Sequence, residues 1–293
     1  MRTIARSAFI AAVIAGAVVL GSSAYAADIA RPVYKAPPAP ITTYNWTGFY
    51  IGGNVGYARG KSNFVSTFDC PIGFACPYAA PVNHAAAGLA GTGSATDNNW
   101  TGGGQVGFNW QSGVVVWGVE ADFQSFSLGV TRTVSAPFPA VFTSYNITTG
   151  YNTDWLFTAR GRLGWTVTPT ALLYATGGVA VTDPQLTNQF IDNAASFGFA
   201  SNTFGTSSVS STRTGWTVGG GLEVALGNNW TAKGEYLYLD FGSAGTTVAW
   251  VTNPTFQNPN RLTTVGGDLT AQIVRFGLNY RFNWGKSPVV AKN

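Results

Sequence analysis

Residues 271–282 read AQIVRFGLNYRF, and two alphabets alternate along them: Val274, Phe276, Leu278, Tyr280 and Phe282 against Arg275, Gly277, Asn279 and Arg281. Successive side chains of a strand point to opposite faces, so one face of this stretch is apolar along its whole length and the other is polar and charged. In a water-soluble sandwich the polar faces would cover the surface with charge, yet only 10% of the chain is charged, against roughly 25% in a typical soluble domain. An apolar face toward lipid and a polar face toward a lumen satisfy both observations.

Seven further segments upstream carry the same period, giving the expectation of an all-β, eight-stranded antiparallel up-and-down transmembrane β-barrel. They run over 47–59, 100–110, 114–126, 154–165, 171–181, 214–225 and 230–240. Short turns at 111–113, 166–170 and 227–229 alternate with long connections at 60–99, 127–153, 182–213 and 241–270. Outer-membrane barrels place short turns on the periplasmic side and long loops outside, so both termini are expected in the periplasm.

The ends of the chain fit export. Met1–Ala26 has charged Arg2 and Arg6, an apolar run from Ala8 to Leu20 and the small-x-small site Ala24-Tyr25-Ala26, the pattern of a cleaved signal peptide, helical if ordered. Cleavage removes two arginines and no acid, so the formal charge falls from +4 to +2. With no basic cluster beyond it, nucleic acid is not an expected partner. Residues 27–44, with Pro32, Pro37, Pro38 and Pro40, read as a periplasmic lead; 45–284 as the barrel; and 285–293 as a C-terminal extension. In an oxidising periplasm Cys70 and Cys76 are expected to form a local disulfide.

Tryptophan placement is independent of the periodicity. Trp46, Trp110, Trp117, Trp165, Trp230 and Trp284 are expected at the periplasmic interface, and Trp100, Trp155 and Trp216 at the outer one, leaving Trp250 in a loop. Two such belts are what amphipathic rings form at headgroup level. The inward set contains Glu120, Asp122, Arg160, Arg162, Glu223, Lys233, Glu235, Arg275 and Arg281. An eight-stranded lumen is just wide enough for side chains to fill, and buried charges need partners. The expectation is a salt-bridged plug, with a small porin passing ions or small solutes as the alternative.

Other motifs are set aside. Gly102-x-Gly104-x-x-Gly107 spells a dinucleotide fingerprint, but no strand precedes it and no helix follows, so glycines that reduce bulk in a barrel are the better reading. The single histidine, His84, lies beside Ala85-Ala86-Ala87 without an acid close in sequence. It is read as a loop residue and not as a general base, which makes a lipid-modifying enzyme the second alternative. No catalytic, cofactor or metal site is expected. Loop aromatics such as Phe138, Phe142, Phe190 and Phe256 either cap the barrel mouth or meet a host or envelope partner.

Four separated segments carry a family resemblance: Asn45-Trp46-Thr47-Gly48-Phe49-Tyr50-Ile51-Gly52-Gly53-Asn54, Trp117-Gly118-Val119-Glu120-Ala121-Asp122, Lys233-Gly234-Glu235-Tyr236-Leu237-Tyr238 and Gly277-Leu278-Asn279-Tyr280-Arg281-Phe282. In this order they resemble the small outer-membrane immunogenic proteins of Gram-negative bacteria, often labelled porin family. The resemblance implies an abundant barrel with structural and antigenic roles, surrounded by outer-membrane lipid and lipopolysaccharide. It also implies recognition by the barrel-insertion machinery through Tyr280 and Phe282. The long loops, the cysteine pair and the residues after Phe282 depart from the family pattern.

Overall fold

The computed structural model describes residues 44–71, 78, 80–193, 195, 202–253 and 256–282. The expected signal peptide, the lead up to residue 43, Cys76, Trp284 and the 285–293 extension lie outside the described residues.

Among the described residues ten strands and one helix follow in chain order: β1 Gly48–Asp69, α1 Pro81–Gly91, β2 Gly93–Ser112, β3 Val115–Pro137, β4 Ser144–Thr168, β5 Ala171–Thr182, β6 Gln185–Asp192, β7 Phe204–Ser210, β8 Arg213–Gly227, β9 Trp230–Asn253 and β10 Phe256–Phe282. Antiparallel pairing runs β1-β2-β3-β4-β5-β8-β9-β10 and returns to β1, so these eight strands close a ring. The closing ladder extends from Phe49↔Phe282 to Asp69↔Arg261. Closure leaves no lipid-facing edge whose backbone groups would go unpaired.

Eight strands describe the ring but not the whole sheet. β6 continues the path of β5 and pairs with the upper part of β4 (Tyr145↔Asp192 to Asn152↔Gln185), while β7 pairs with β6 and leads into β8. The break between β5 and β6 falls at Asp183-Pro184, because proline has no N–H to give to a ladder. A register shift between Ser125 and Leu128, where β3 faces Trp155 and Thr153, marks the same height on β4. On its other side the upper wall is weakly joined: β8 follows β9 as far as Trp216↔Asp240, and above that β7 meets β9 at the single pair Phe204↔Thr252.

The expected long loops are a correction. Most of 60–69, 93–99, 127–137, 144–153 and 241–253 is paired strand, raising the barrel wall well beyond the membrane band. The reason lies in the alternation, which inverts at the outer girdle. Within the band Ile51, Val55 and Tyr57 point out, while farther along the same strand Ala58, Phe64 and Phe68 point in. Above the headgroups the outer face meets water, so the apolar residues move to the inside.

Of the expected girdle residues, four at the periplasmic interface and three at the outer one can be placed on the wall. Trp100, Trp110, Trp117, Trp165, Trp216 and Trp230 are exposed on the outer face, and Trp155 is half-buried against Phe123. Trp46 is not part of a girdle. It is 1% exposed and packs with Val116, Leu172 and Tyr174 inside the periplasmic end, because the chain enters beneath the ring, with Tyr44 N–H donating to the Pro169 carbonyl at 2.9 Å, before β1 begins. Trp250 lies on the outer face of β9 and not in a loop.

Candidate functional site

The lumen is filled in layers. At the periplasmic end Trp46, Val116, Leu172 and Tyr174 form an apolar plug. The inward face then turns polar where the ladders place Glu120 opposite Arg160, Glu223 opposite Lys233 and Arg275 opposite Glu235. These directly facing pairs seed a network that reaches across the barrel.

Glu120 is its hub. Its carboxylate accepts from Lys233 Nζ at 2.8 Å and from Arg160, and lies 3.7 Å from Arg162 and 3.6 Å from Arg275. Asp122 bonds Arg160 at 2.7 Å and Arg275 at 3.0 Å. Glu235 takes Arg160 at 3.0 Å and Arg275 at 2.6 Å, and Glu223 takes Arg162 at 2.6 Å. The eight side chains are between 0% and 3% exposed. Four acids thus meet Arg160, Arg162, Lys233 and Arg275, and the cluster is formally neutral, which is the arrangement a low-dielectric interior tolerates.

Arg281, expected in this network, is outside it. It is inward and 8% exposed, but it donates to Tyr44 OH at 3.1 Å and to the Thr47 carbonyl at 2.9 Å, with its guanidinium 4.5 Å from the Tyr44 ring centre. Its position near the end of β10 is too low to reach the acids, so it ties the entering chain to the ring.

Two tyrosines join the network that the sequence reading did not single out. Tyr50 donates to Glu120 at 2.8 Å and accepts from Arg162 at 2.9 Å; Tyr174 donates to Glu235 at 3.0 Å while its ring lies 4.0 Å from the Arg162 guanidinium. Each needs an absent side chain beside it. A Cβ at Gly107 would stand 2.4 Å from the Tyr50 ring, and one at Gly221 would stand 2.7 Å from Tyr174 OH. The parity signal was available, since Tyr50 shares a face with Gly52 and Asn54. Asn54, Gln105 and Asn279 extend the network as a chain of amides that ends at Glu223, 3.0 Å from Asn279.

Above the charges the lumen is apolar. Phe64, Phe126, Leu128, Tyr151, Leu237 and Phe241 belong to one buried cluster, and Phe68, Phe138, Tyr145, Phe190, Val251 and Leu262 to a second beneath the mouth. Phe138 and Phe190, expected in loops, are therefore part of the interior. The mouth carries α1, an element the strand reading did not foresee. It starts on Pro81, where a missing N–H costs nothing, and buries Ala87, Gly88 and Gly91 against the wall. Arg132 donates to the Ala90 carbonyl, and Asn83 accepts from Ala140 N–H at 3.0 Å.

His84 sits on α1, edge-on to Phe68 at 5.7 Å. Burial holds its imidazole below the ordinary value, with Asp69 acting in the opposite sense. Cys70 is disulfide-bonded, and Cys76 lies outside the described residues. Among the described residues no group of three or more His, Cys, Asp or Glu is arranged to hold a metal ion. Tyr280 and Phe282 face outward, packed on Trp230 at 5.2 Å and Phe49 at 5.8 Å.

Comparison with known proteins agrees with this architecture. Residues 13–282 match the family model described as outer membrane protein beta-barrel domain. The 31 kDa outer-membrane immunogenic protein of Brucella melitensis is 34% identical over 269 residues, covering 91% of this chain and 96% of that protein. The 25 kDa outer-membrane immunogenic protein of Brucella abortus is 26% identical over 263 residues, covering 89% and 92%. Among solved structures, outer membrane protein OprG of Pseudomonas aeruginosa is matched with a TM-score of 0.40 at 14% identity, over 81% of this chain and 98% of that one. The chain belongs to the outer-membrane β-barrel family that includes these immunogenic proteins, and its place is the outer membrane.

Proposed function

We propose that this protein is a non-enzymatic, non-conducting surface barrel that anchors a rigid extracellular β-structure in the outer membrane. The observation that carries the reading is the layered lumen: an apolar plug, a neutral ion-pair network with side chains at most 3% exposed, and two apolar clusters under a helix. A water-filled path would require every layer to part, and the ion-pair layer alone resists because each charge would lose partners it cannot replace. Apolar residues at the tip, Phe142 at 92% and Leu89 at 74% exposure, support contact with an envelope or host partner. The outward aromatics of β10 support recognition by the insertion machinery.

Planar-bilayer recording of the purified protein tests the proposal. The expected trace is flat; stable single-channel steps would replace this reading with the small porin. His84→Asn followed by profiling of lipid A tests the absence of enzymatic activity, and an altered profile would overturn it.

A further inference from the structure

Arg59 and Lys61 are exposed, and among the described residues the other exposed cationic side chain, that of Arg261, is held by Asp69. They stand two positions apart on β1, so both point outward. Immediately below them Tyr57 packs edge-on against Trp100, ring centres 5.6 Å apart, as part of the outer girdle. The two cations therefore stand at headgroup height.

Their surroundings are built for an anion. Arg59 faces Asn98 on β2 and Gln272 on β10, and Lys61 faces Thr96 and Thr270. Together with Thr96, Thr270 and Gln272 they line a cleft of about 200 Å³. None of the ion pairs among the described residues includes either cation. Of the carboxylates nearby in register, Asp97 accepts from Gly129 N–H and Asp240 from Gly242 N–H, both at 2.9 Å, while Asp268 is exposed farther up β10.

Below the girdle the same strand borders an apolar groove of about 920 Å³, walled by Ile51, Val55, Phe276, Leu278 and Trp230. Its floor is Gly53. A Cβ there would meet nothing closer than the Gly103 carbonyl oxygen at 3.7 Å, so packing within the barrel does not require glycine, and the missing side chain leaves room on the lipid face. Gly53 and Arg59 are six residues apart, about 20 Å along the strand and roughly 15 Å of depth at the usual barrel tilt, which is one leaflet.

We propose that Arg59 and Lys61 bind the phosphate-bearing headgroup of an outer-leaflet lipid, with one of its acyl chains lying down the strand into the groove floored by Gly53. Hydrocarbon surrounds the groove at this height, so an acyl chain is its occupant, and the isolated cation pair above selects a phosphate. The inference rests on the outer-membrane location and is independent of whether the lumen conducts.

The test uses protein purified from the outer membrane, titrated in detergent with bis-phosphorylated lipid A and read by native mass spectrometry. At about 1 kcal/mol per cation near a charged membrane surface, R59Q/K61Q should weaken binding roughly 30-fold with unchanged heat-modifiable migration. Dephosphorylated lipid A should bind the wild-type protein as weakly as the phosphorylated form binds the variant. G53L should weaken binding of the acylated lipid but not of its deacylated, phosphorylated headgroup. Equal binding by R59Q/K61Q and wild type would overturn the proposal, as would displacement of the lipid by inorganic phosphate at matching concentration. Unchanged binding by G53L would overturn the groove.

Discussion

Glu120→Gln removes one charge from the centre of the lumen and almost no volume. In the wild-type protein Glu120 is the carboxylate nearest Lys233, at 2.8 Å, and it also faces three arginines. At an effective dielectric near 20, a unit pair at that distance is worth about 6 kcal/mol. Relief from burying the carboxylate offsets part of this, and the net loss for breaking a buried pair is about 3–5 kcal/mol. The remaining cluster would hold four cations against three anions, buried away from the bulk solvent that screens surface charges. Urea unfolding in lipid vesicles, followed by tryptophan fluorescence and by the gel shift of the folded form, measures the loss. The companion variant Glu120→Gln/Lys233→Met restores neutrality, so its cost should fall below the sum of the single variants by about 0.5–3 kcal/mol. A loss under 1 kcal/mol for Glu120→Gln, together with additive single costs, would refute the view that this layer is a desolvated, mutually dependent network.

Gly107→Val should destabilise by about 1–3 kcal/mol, because its side chain would enter the space of the Tyr50 ring, whereas Gly104→Val, whose nearest neighbour is the Gly52 carbonyl at 3.8 Å, should change the urea midpoint little. Burial lowers the His84 pKa, so the unfolded state binds the proton more readily. The stabilisation His84 gives α1 is therefore complete above about pH 6.5 and is lost as pH falls below it. Hydrogen exchange in 81–91 should accelerate on acidification, and an equal acceleration in His84→Gln would contradict the assignment. Amides of β7 on the β9 side should exchange faster than those of β8, which is fully laddered below Asp240; equal protection would show that the upper wall is not weakly joined. Removing residues 283–293 should leave membrane insertion intact if Tyr280 and Phe282 carry the recognition signal, and loss of insertion would assign that signal to the removed residues.

The membrane band was readable because lipid imposes one rule on every strand: Val274, Phe276 and Leu278 had to share a face, and Arg275 had to take the other. The charge network followed from the same parity, since two-residue periodicity and antiparallel neighbours already placed Glu120 beside Arg160. Beyond the girdle the rule changes sign, and a reading tuned to apolar-outward strands sees 60–69 or 241–253 as loop. Phe64, Phe68, Phe241 and Val251 carried the inverted pattern, but their outward neighbours, Asn63, Thr67 and Thr252 among them, look like loop composition. Trp46 and Arg281 were misplaced for a different reason. Periodicity fixes which side of the wall a residue faces, but it says nothing about how the chain enters beneath the barrel or how far a side chain sits from its charged neighbours. Tyr50 and Tyr174 needed pairs across the lumen, and those depend on the ring being closed.

The raised wall has a use in protein engineering. Because strands continue above the headgroups to the turn between β3 and β4, residues 138–143 stand at the end of a paired support and not on a flexible tether, with Phe142 almost fully solvated. From Arg59 to Asp69 the wall climbs about 33 Å along β1, or roughly 25 Å of height at the usual tilt. A peptide spliced into that turn would be held at a fixed distance above the cell surface. Antibodies raised against the intact wall below it would recognise side chains brought together from neighbouring strands, so short linear peptides copied from single strands would make poor substitutes as vaccine antigens.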